Sequence, residues 1–190
     1  PEFIFEEALF INEFMAINSE TIKDEYHAYA DWIEIYNPND QAIDLADFYL
    51  SDDAEEVFKF QFPRGKQETM IEAYGFKLIW CDGRPERGAL HCNFKLNGEG
   101  EYIVFSAPDS SLIDRLSFGN QYDDISYGRQ EDGGEIWKFF QIPDDPTPGA
   151  TNNKTAIREV EFSETHLYPN PVIKGGKIFF RHQVTLEIYN

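Results

Sequence analysis

Long apolar runs are missing from this 190-residue chain. No stretch reaches the roughly 18 apolar residues that a membrane-spanning helix needs, so no helical span is predicted. Cations are scarce: 16 Lys and Arg stand against 35 Asp and Glu, a formal charge of −19. Such a chain repels nucleic-acid phosphates, which need Lys and Arg to neutralise them. Anionic membrane surfaces are disfavoured for the same reason. Histidine occurs four times and cysteine twice. The chain has no Gly-x-Ser-x-Gly elbow, no phosphate-binding glycine loop, no His/Cys zinc spacing and no EF-hand spacing. Those absences remove the commonest signatures of hydrolytic, nucleotide and metal chemistry. A signal-peptide pattern is missing as well. The chain opens on Pro1-Glu2-Phe3 and stops in mid-pattern at Ile188-Tyr189-Asn190. We expect a piece of a longer protein, in which a missing signal peptide carries no information about compartment.

Large rings are abundant. Phe (17) and Tyr (10) help to bring aromatics to 16%, too many for a disordered acidic chain, so a packed core is expected. β-Branched and aromatic residues dominate the apolar set, which favours strands. Strand-like runs fall at 9–16, 32–36, 43–50, 57–62, 75–80, 90–96, 102–106 and 112–117. Between them lie turn formers such as Asn37-Pro38-Asn39-Asp40, Asn97-Gly98-Glu99-Gly100 and Pro108-Asp109-Ser110-Ser111. Short strands at this spacing imply an all-β sandwich or barrel. Residues 19–29 are polar and read as a loop. The charge is uneven: residues 1–150 carry −20 and residues 151–190 carry +1. The change falls where Pro146-Thr147-Pro148-Gly149-Ala150-Thr151-Asn152-Asn153 reads as a linker.

Alternation assigns faces within strands. In Asp31-Trp32-Ile33-Glu34-Ile35-Tyr36, residues Ile33 and Ile35 are expected in the core. Trp32, Glu34 and Tyr36 are then expected outside, the two rings flanking the carboxylate. In the 75–80 run, Lys77 marks the outward side, so Phe76, Leu78 and Trp80 are expected to face in.

An ordered series of motifs resembles the bacterial lamin-tail domain. It runs through Ile11-Asn12-Glu13-Phe14-Met15-Ala16, Asp31–Asn37, Asp44-Leu45, Tyr49-Leu50-Ser51-Asp52-Asp53, Phe62-Pro63 and Trp80-Cys81-Asp82-Gly83. It continues through Leu90-His91-Cys92-Asn93-Phe94-Lys95-Leu96, Gly100-Glu101, Ser126-Tyr127-Gly128-Arg129 and Thr147-Pro148-Gly149-Ala150-Thr151-Asn152. The resemblance covers about residues 9–152 and implies an immunoglobulin-like β-sandwich, in a family not known for an active site. Such domains often accompany hydrolases in secreted bacterial proteins. A second resemblance follows. Leu167-Tyr168-Pro169-Asn170-Pro171-Val172, then Lys177-Ile178-Phe179-Phe180 and Val184-Thr185-Leu186-Glu187-Ile188-Tyr189-Asn190, looks like the opening of a type IX secretion sorting domain. The expected organisation is a lead at 1–8, the sandwich at 9–152, a linker at 153–165 and the sorting segment at 166–190.

Candidate chemistry is thin. Trp32, Glu34 and Tyr36 form a candidate ligand-binding face, since outward rings can stack on sugars; cross-strand packing is the alternative use. Glu13, Asp31, Asp52 and Asp53 are candidate Ca2+ ligands, because Ca2+ gathers several carboxylate and carbonyl oxygens; solvated charge or loop capping is the alternative. Cys81 and Cys92 flank a charged loop and form either a disulfide or two small core thiols. Two cysteines there depart from the lamin-tail pattern, which often has small residues at both positions. His91 matches the lamin-tail pattern, and the resemblance implies structural hydrogen bonding for it; a Cys92–His91 dyad is not expected, because adjacent strand residues point to opposite faces.

The functional expectation is a non-catalytic accessory, adhesion or binding module of an exported bacterial protein, secreted or held at the cell surface, with no cofactor required. Its expected partners are neighbouring domains, an extracellular glycan or protein, and the secretion machinery. One alternative is a carbohydrate-binding module with an exposed aromatic face. The other is a hydrolase with paired carboxylates, which need roughly 5–9.5 Å between them.

Overall fold

The computed structural model describes residues 8–141, 145–153, 172–174 and 177–179. The chain divides into two units, residues 1–153 and residues 154–190. The first is an all-β sandwich of immunoglobulin-like type. Its strands are β1 (Phe10–Met15), β2 (Asp31–Tyr36), β3 (Ile43–Asp44), β4 (Tyr49–Ser51), β5 (Phe60–Gln61) and β6 (Met70–Ile71). They continue with β7 (Phe76–Cys81), β8 (Tyr102–Ser106), β9 (Leu112–Ser117), β10 (Ser126–Arg129) and β11 (Trp137–Phe140). One sheet has the order β11-β10-β1-β2-β7, the other β5-β4-β8-β9, and β3 pairs with β6. In the second unit, β12 (Val172–Lys174) and β13 (Lys177–Phe179) pair as an antiparallel hairpin. The remainder of the expected sorting segment lies outside the described residues. No described helix is long and apolar enough to cross a membrane.

The core lies between the two large sheets. Ile11, Phe14, Ile33, Ile35, Ile79 and Cys81 meet Leu50, Phe60, Ile103 and Phe105 in one buried cluster. Each large apolar side chain removed from water there stabilises the fold by about 1.5–3 kcal/mol. The core positions of β2 are Ile33 and Ile35, as alternation requires.

The opposite side of β2 is not solvent. Trp32 and Glu34 are both 0% exposed and Tyr36 is half-buried. Trp32 packs with Met15, Ala30 and Trp80 in a second cluster, against which Ile22 is seated. The 17–30 segment thus covers one end of this face. Asp124 pins that segment: its Oδ1 accepts the backbone N–H groups of Glu20 at 2.8 Å and Thr21 at 3.0 Å.

The face assignment of β7 needs correction. Register pairs Trp32 with Trp80, Glu34 with Leu78 and Tyr36 with Phe76. Directly paired residues share a face, so Phe76, Leu78 and Trp80 lie with Trp32 on the second side, and Ile79 and Cys81 face the main core. Lys77 misleads because a lysine can lay its aliphatic stem along apolar surface. It is half-buried opposite Ile35, and burial lowers its pKa below the ordinary lysine value.

Strand extents also differ from expectation. Residues 90–96 form no strand; His91 makes one isolated parallel bridge to Trp80 of β7, and Lys95 an antiparallel one to Asp82 just beyond it. β6, β10 and β11 are additional. The 145–153 stretch, read as a linker, is docked on the sandwich through side-chain hydrogen bonds.

Candidate functional site

Two buried polar clusters carry most of the chemistry of this chain. The first begins with a register shift. Ile11 pairs with Ile35 and Phe14 with Ile33, but Glu13 pairs with Glu34, leaving Asn12 as the extra residue of a bulge. The bulge keeps Ile11 and Phe14 in the core and turns both Asn12 and Glu13 toward Glu34. Two carboxylates therefore sit opposite each other, and both are 0% exposed. Like charges in that position repel, and buried charges are costly unless hydrogen-bonded.

The 145–153 strap supplies the hydrogen bonds. Thr147-Pro148-Gly149-Ala150 closes a turn, with the Ala150 N–H donating to the Thr147 carbonyl at 2.9 Å and Gly149 at φ 80°. Pro followed by a left-handed Gly is the chemistry of a type II turn. The turn aims N–H groups inward. Thr147 N–H donates to Glu13 Oε1 at 3.0 Å, and Gly149 N–H donates to Glu34 Oε2 at 2.6 Å. Ser126 Oγ also donates to Glu13. Asn12 Nδ2 donates to Glu34 Oε1 at 3.1 Å and to Asp132 Oδ1 at 3.0 Å. Asn152 anchors the far end: its N–H reaches Asp132 at 2.9 Å and its Nδ2 reaches the Arg129 carbonyl at 2.7 Å. Gly128 makes room, since a Cβ there would lie 2.8 Å from Glu13 Cγ and 2.9 Å from the Asn12 carbonyl oxygen. Burial pushes the Glu34 carboxyl up to about 8. The Asn12 and Gly149 hydrogen bonds oppose this, while the nearby Glu13 and Asp132 charges add to it.

The second cluster surrounds His91, which is fully buried. Its Nδ1 lies 3.1 Å from Asp82 Oδ2 and its Nε2 3.0 Å from Glu25 Oε1. Arg87 Nη1 donates to Asp24 Oδ2 and to Asp82 Oδ2, each at 3.0 Å. The Arg87 guanidinium also stands over the Tyr26 ring at 4.7 Å. Asp24, Asp82 and His91 are the one group of metal-ligating types, among the described residues, whose ligand atoms all lie within 4.8 Å of each other. Arg87 already provides the cation for both aspartates. The geometry is that of an internal ion-pair network in which each buried charge has a partner.

The expected ligand face does not exist as a surface. Trp32 lies beneath the 17–30 segment, and Glu34 is closed off by the strap. Tyr36 stacks on Phe76 with ring centroids 4.8 Å apart. The four expected Ca2+ ligands do not form a trio of the kind described for His91. Glu13 belongs to the strap network. Asp52 pairs with Lys59 at 2.6 Å, and Asp53 Oδ1 accepts the Glu55 N–H at 2.7 Å as a turn cap. Asp31 stands apart from Glu13, its carboxyl pushed up to about 7 by burial, against hydrogen bonds from the Leu96 and Asn18 backbone and the Lys95 charge. Cys81 and Cys92 are free buried thiols, and Cys81 Sγ lies 4.0 Å from the Ile79 carbonyl oxygen. Burial, and then Cys92, holds the Cys81 thiol well above its ordinary pKa, so it is a weak nucleophile.

Asn12, Asp24, Arg87 and Asp132 were not among the residues singled out. Only Asn12 lay in a recognised motif, and no spacing in the sequence ties 12 to 132 or 24 to 87.

A family model described as Lamin Tail Domain matches residues 6–120. No curated protein and no solved structure matches the chain.

Proposed function

This chain belongs to the lamin tail domain family, and from that premise we propose that it serves as a non-catalytic accessory or binding module of an exported multidomain protein. One observation carries the reading. The paired carboxylates Glu13, a candidate Ca2+ ligand, and Glu34, of the candidate ligand face, have no solvent exposure and accept hydrogen bonds from the strap. A general acid or base must reach the proton it transfers, and these two face the protein's own backbone. The same holds for His91, enclosed by Asp82 and Glu25. The recognisable polar residues of this domain therefore act as fasteners that hold a rigid body on which loops are displayed.

Export rests on the second resemblance, the Tyr168-Pro169-Asn170-Pro171 segment and the runs after it, which supports delivery through type IX secretion to the cell surface or medium. The antiparallel β12–β13 hairpin agrees with a β-rich sorting segment there. The charge of −19 supports a soluble, self-repelling surface.

The test pairs turnover with stability. Purified chain should release no product from polysaccharide, peptide or phosphodiester substrates, and Glu34→Gln should alter only its stability. Turnover that is present in the natural chain and lost in a folded Glu34→Gln variant would overturn the reading.

A further inference from the structure

We propose that the cavity beside Tyr29 is a binding site for a carboxylate-bearing sugar, a uronate unit of an extracellular glycan. The proposal names the partner of the non-catalytic module and rests on that reading.

The cavity holds about 210 Å3. Tyr29, Asp31, Asp82, Arg84, Arg87 and Lys95 are among the residues that line it. Its charge is out of character for the molecule. Residues 1–150 contain only 11 Lys and Arg. Three of them line this one cavity, and a fourth, Lys23, stands 4.9 Å over the Tyr29 ring.

Internal pairing decides which groups are left for a ligand. Arg87 is taken up by Asp24 and Asp82. Asp82 in turn accepts from Arg87 and from the Arg84 backbone N–H, and contacts His91. The side chains of Arg84 and Lys95 are exposed and make no hydrogen bond or ion pair with the described residues, while the Lys95 charge acts on Asp31 across the cavity. A guanidinium and an ammonium thus stand at the mouth of a cleft whose back wall is fixed by the buried His91 network. A planar guanidinium fits a carboxylate with two parallel hydrogen bonds. A wall already held in place reduces the ordering cost of binding.

The same wall selects among anions. Asp31 and Asp82 also line the cavity. A carboxylate ligand with hydroxyl groups offers its charge to Arg84 and its donors to Asp31, a pairing that a bare carboxylate does not make. Tyr29, 43% exposed, adds an aromatic edge and a phenol. The volume lies below the roughly 300–1,000 Å3 typical of sites for drug-sized ligands. It accepts one monosaccharide unit rather than an enclosed oligomer.

The test uses the whole chain and trigalacturonate as the probe, followed by NMR or calorimetry, with a neutral galactose trisaccharide and a short polyglutamate as comparisons. Trigalacturonate should bind with a dissociation constant on the order of 1 mM or tighter. Arg84→Ala and Lys95→Ala should each weaken it about tenfold with the melting temperature unchanged, because both side chains are exposed. Raised salt should weaken binding as well. No binding by an intact fold, equal binding by a variant carrying both Arg84→Ala and Lys95→Ala, or preference for the neutral sugar overturns the site and leaves the accessory reading standing. Binding of polyglutamate in place of trigalacturonate overturns the sugar assignment. Cleavage of trigalacturonate would instead support the site and overturn the non-catalytic reading.

Discussion

Glu34 and Gly149 are joined by a 2.6 Å hydrogen bond across 115 residues of chain. The bond ties the middle of a central strand to a turn that follows the last strand of its sheet. It converts a motif that looks like an acidic site into a clasp.

The clasp gives stability a defined dependence on pH. Glu34 is raised from 4.5 to about 8 in the folded protein. Between those values the folded state keeps a proton that the unfolded chain has released. Stability from this group is therefore complete below about 4.5 and lost as pH rises through about 8. Asp31 and Glu101, each pushed up to about 7 chiefly by burial, act in the same direction. Denaturant unfolding should show a more stable protein at about pH 5 than at about pH 8.5, with Glu34 contributing on the order of 4 kcal/mol. Glu34→Gln should flatten that slope and lower stability at about pH 5 by roughly 1–3 kcal/mol, since an amide nitrogen replaces one accepting oxygen. A slope unchanged in the variant would contradict the assignment.

Two glycines serve the clasp in different ways, and Ala substitutions separate them. Gly149 has open space around it but a φ of 80°. Gly149→Ala keeps its N–H and should cost only the backbone penalty, about 1–2 kcal/mol. Gly128→Ala would press on Glu13 and on the Asn12 carbonyl, both under 3.0 Å away. It should cost more, roughly 1–3 kcal/mol, as overpacking does. Thermal unfolding of the two variants should rank them in that order.

Arg87 neutralises two buried aspartates, so Arg87→Ala leaves both without their cation. A loss of about 3–5 kcal/mol is expected. Adding Asp24→Asn should recover part of it by removing one of the stranded charges. A double variant no more stable than Arg87→Ala would show that Asp24 and Arg87 are not coupled.

Cys81 and Cys92 are both fully buried thiols. A thiol reagent should find almost no reactive sulfur in the native protein and two in the unreduced, denatured protein. Burial slows the reaction by withholding the thiolate and the approach path.

Much of the fold is legible in the residues themselves. Alternation places Ile33 and Ile35 in the core, and turn chemistry locates Asn37. Asn37 is buried, and its Nδ2 donates to the Gln41 carbonyl at 2.8 Å and the Glu72 carbonyl at 3.0 Å. What alternation cannot tell is what covers the other face. Trp32 and Glu34 point away from the core as expected, yet Ile22 and Gly149 arrive there from distant parts of the chain. The bulge at Asn12 is illegible for a related reason: one extra residue turns two adjacent polar side chains the same way, which no period-two pattern encodes. Pro and Gly alone make the strap read as a linker, since they mark a turn without stating whether it is free or docked; only the lamin-tail resemblance, which includes Thr147–Asn152, places it in the sandwich.

Amide hydrogen exchange at Thr147 and Gly149 tests the clasp most directly. Both N–H groups lie outside any strand and bond to carboxylates of β1 and β2. If the strap closes over the acid pair, both should exchange at least about a thousandfold more slowly than an open loop, in the range of core strand amides. Exchange within about tenfold of the unprotected rate would mean that the strap is open and that Glu13 and Glu34 face solvent, which contradicts the account.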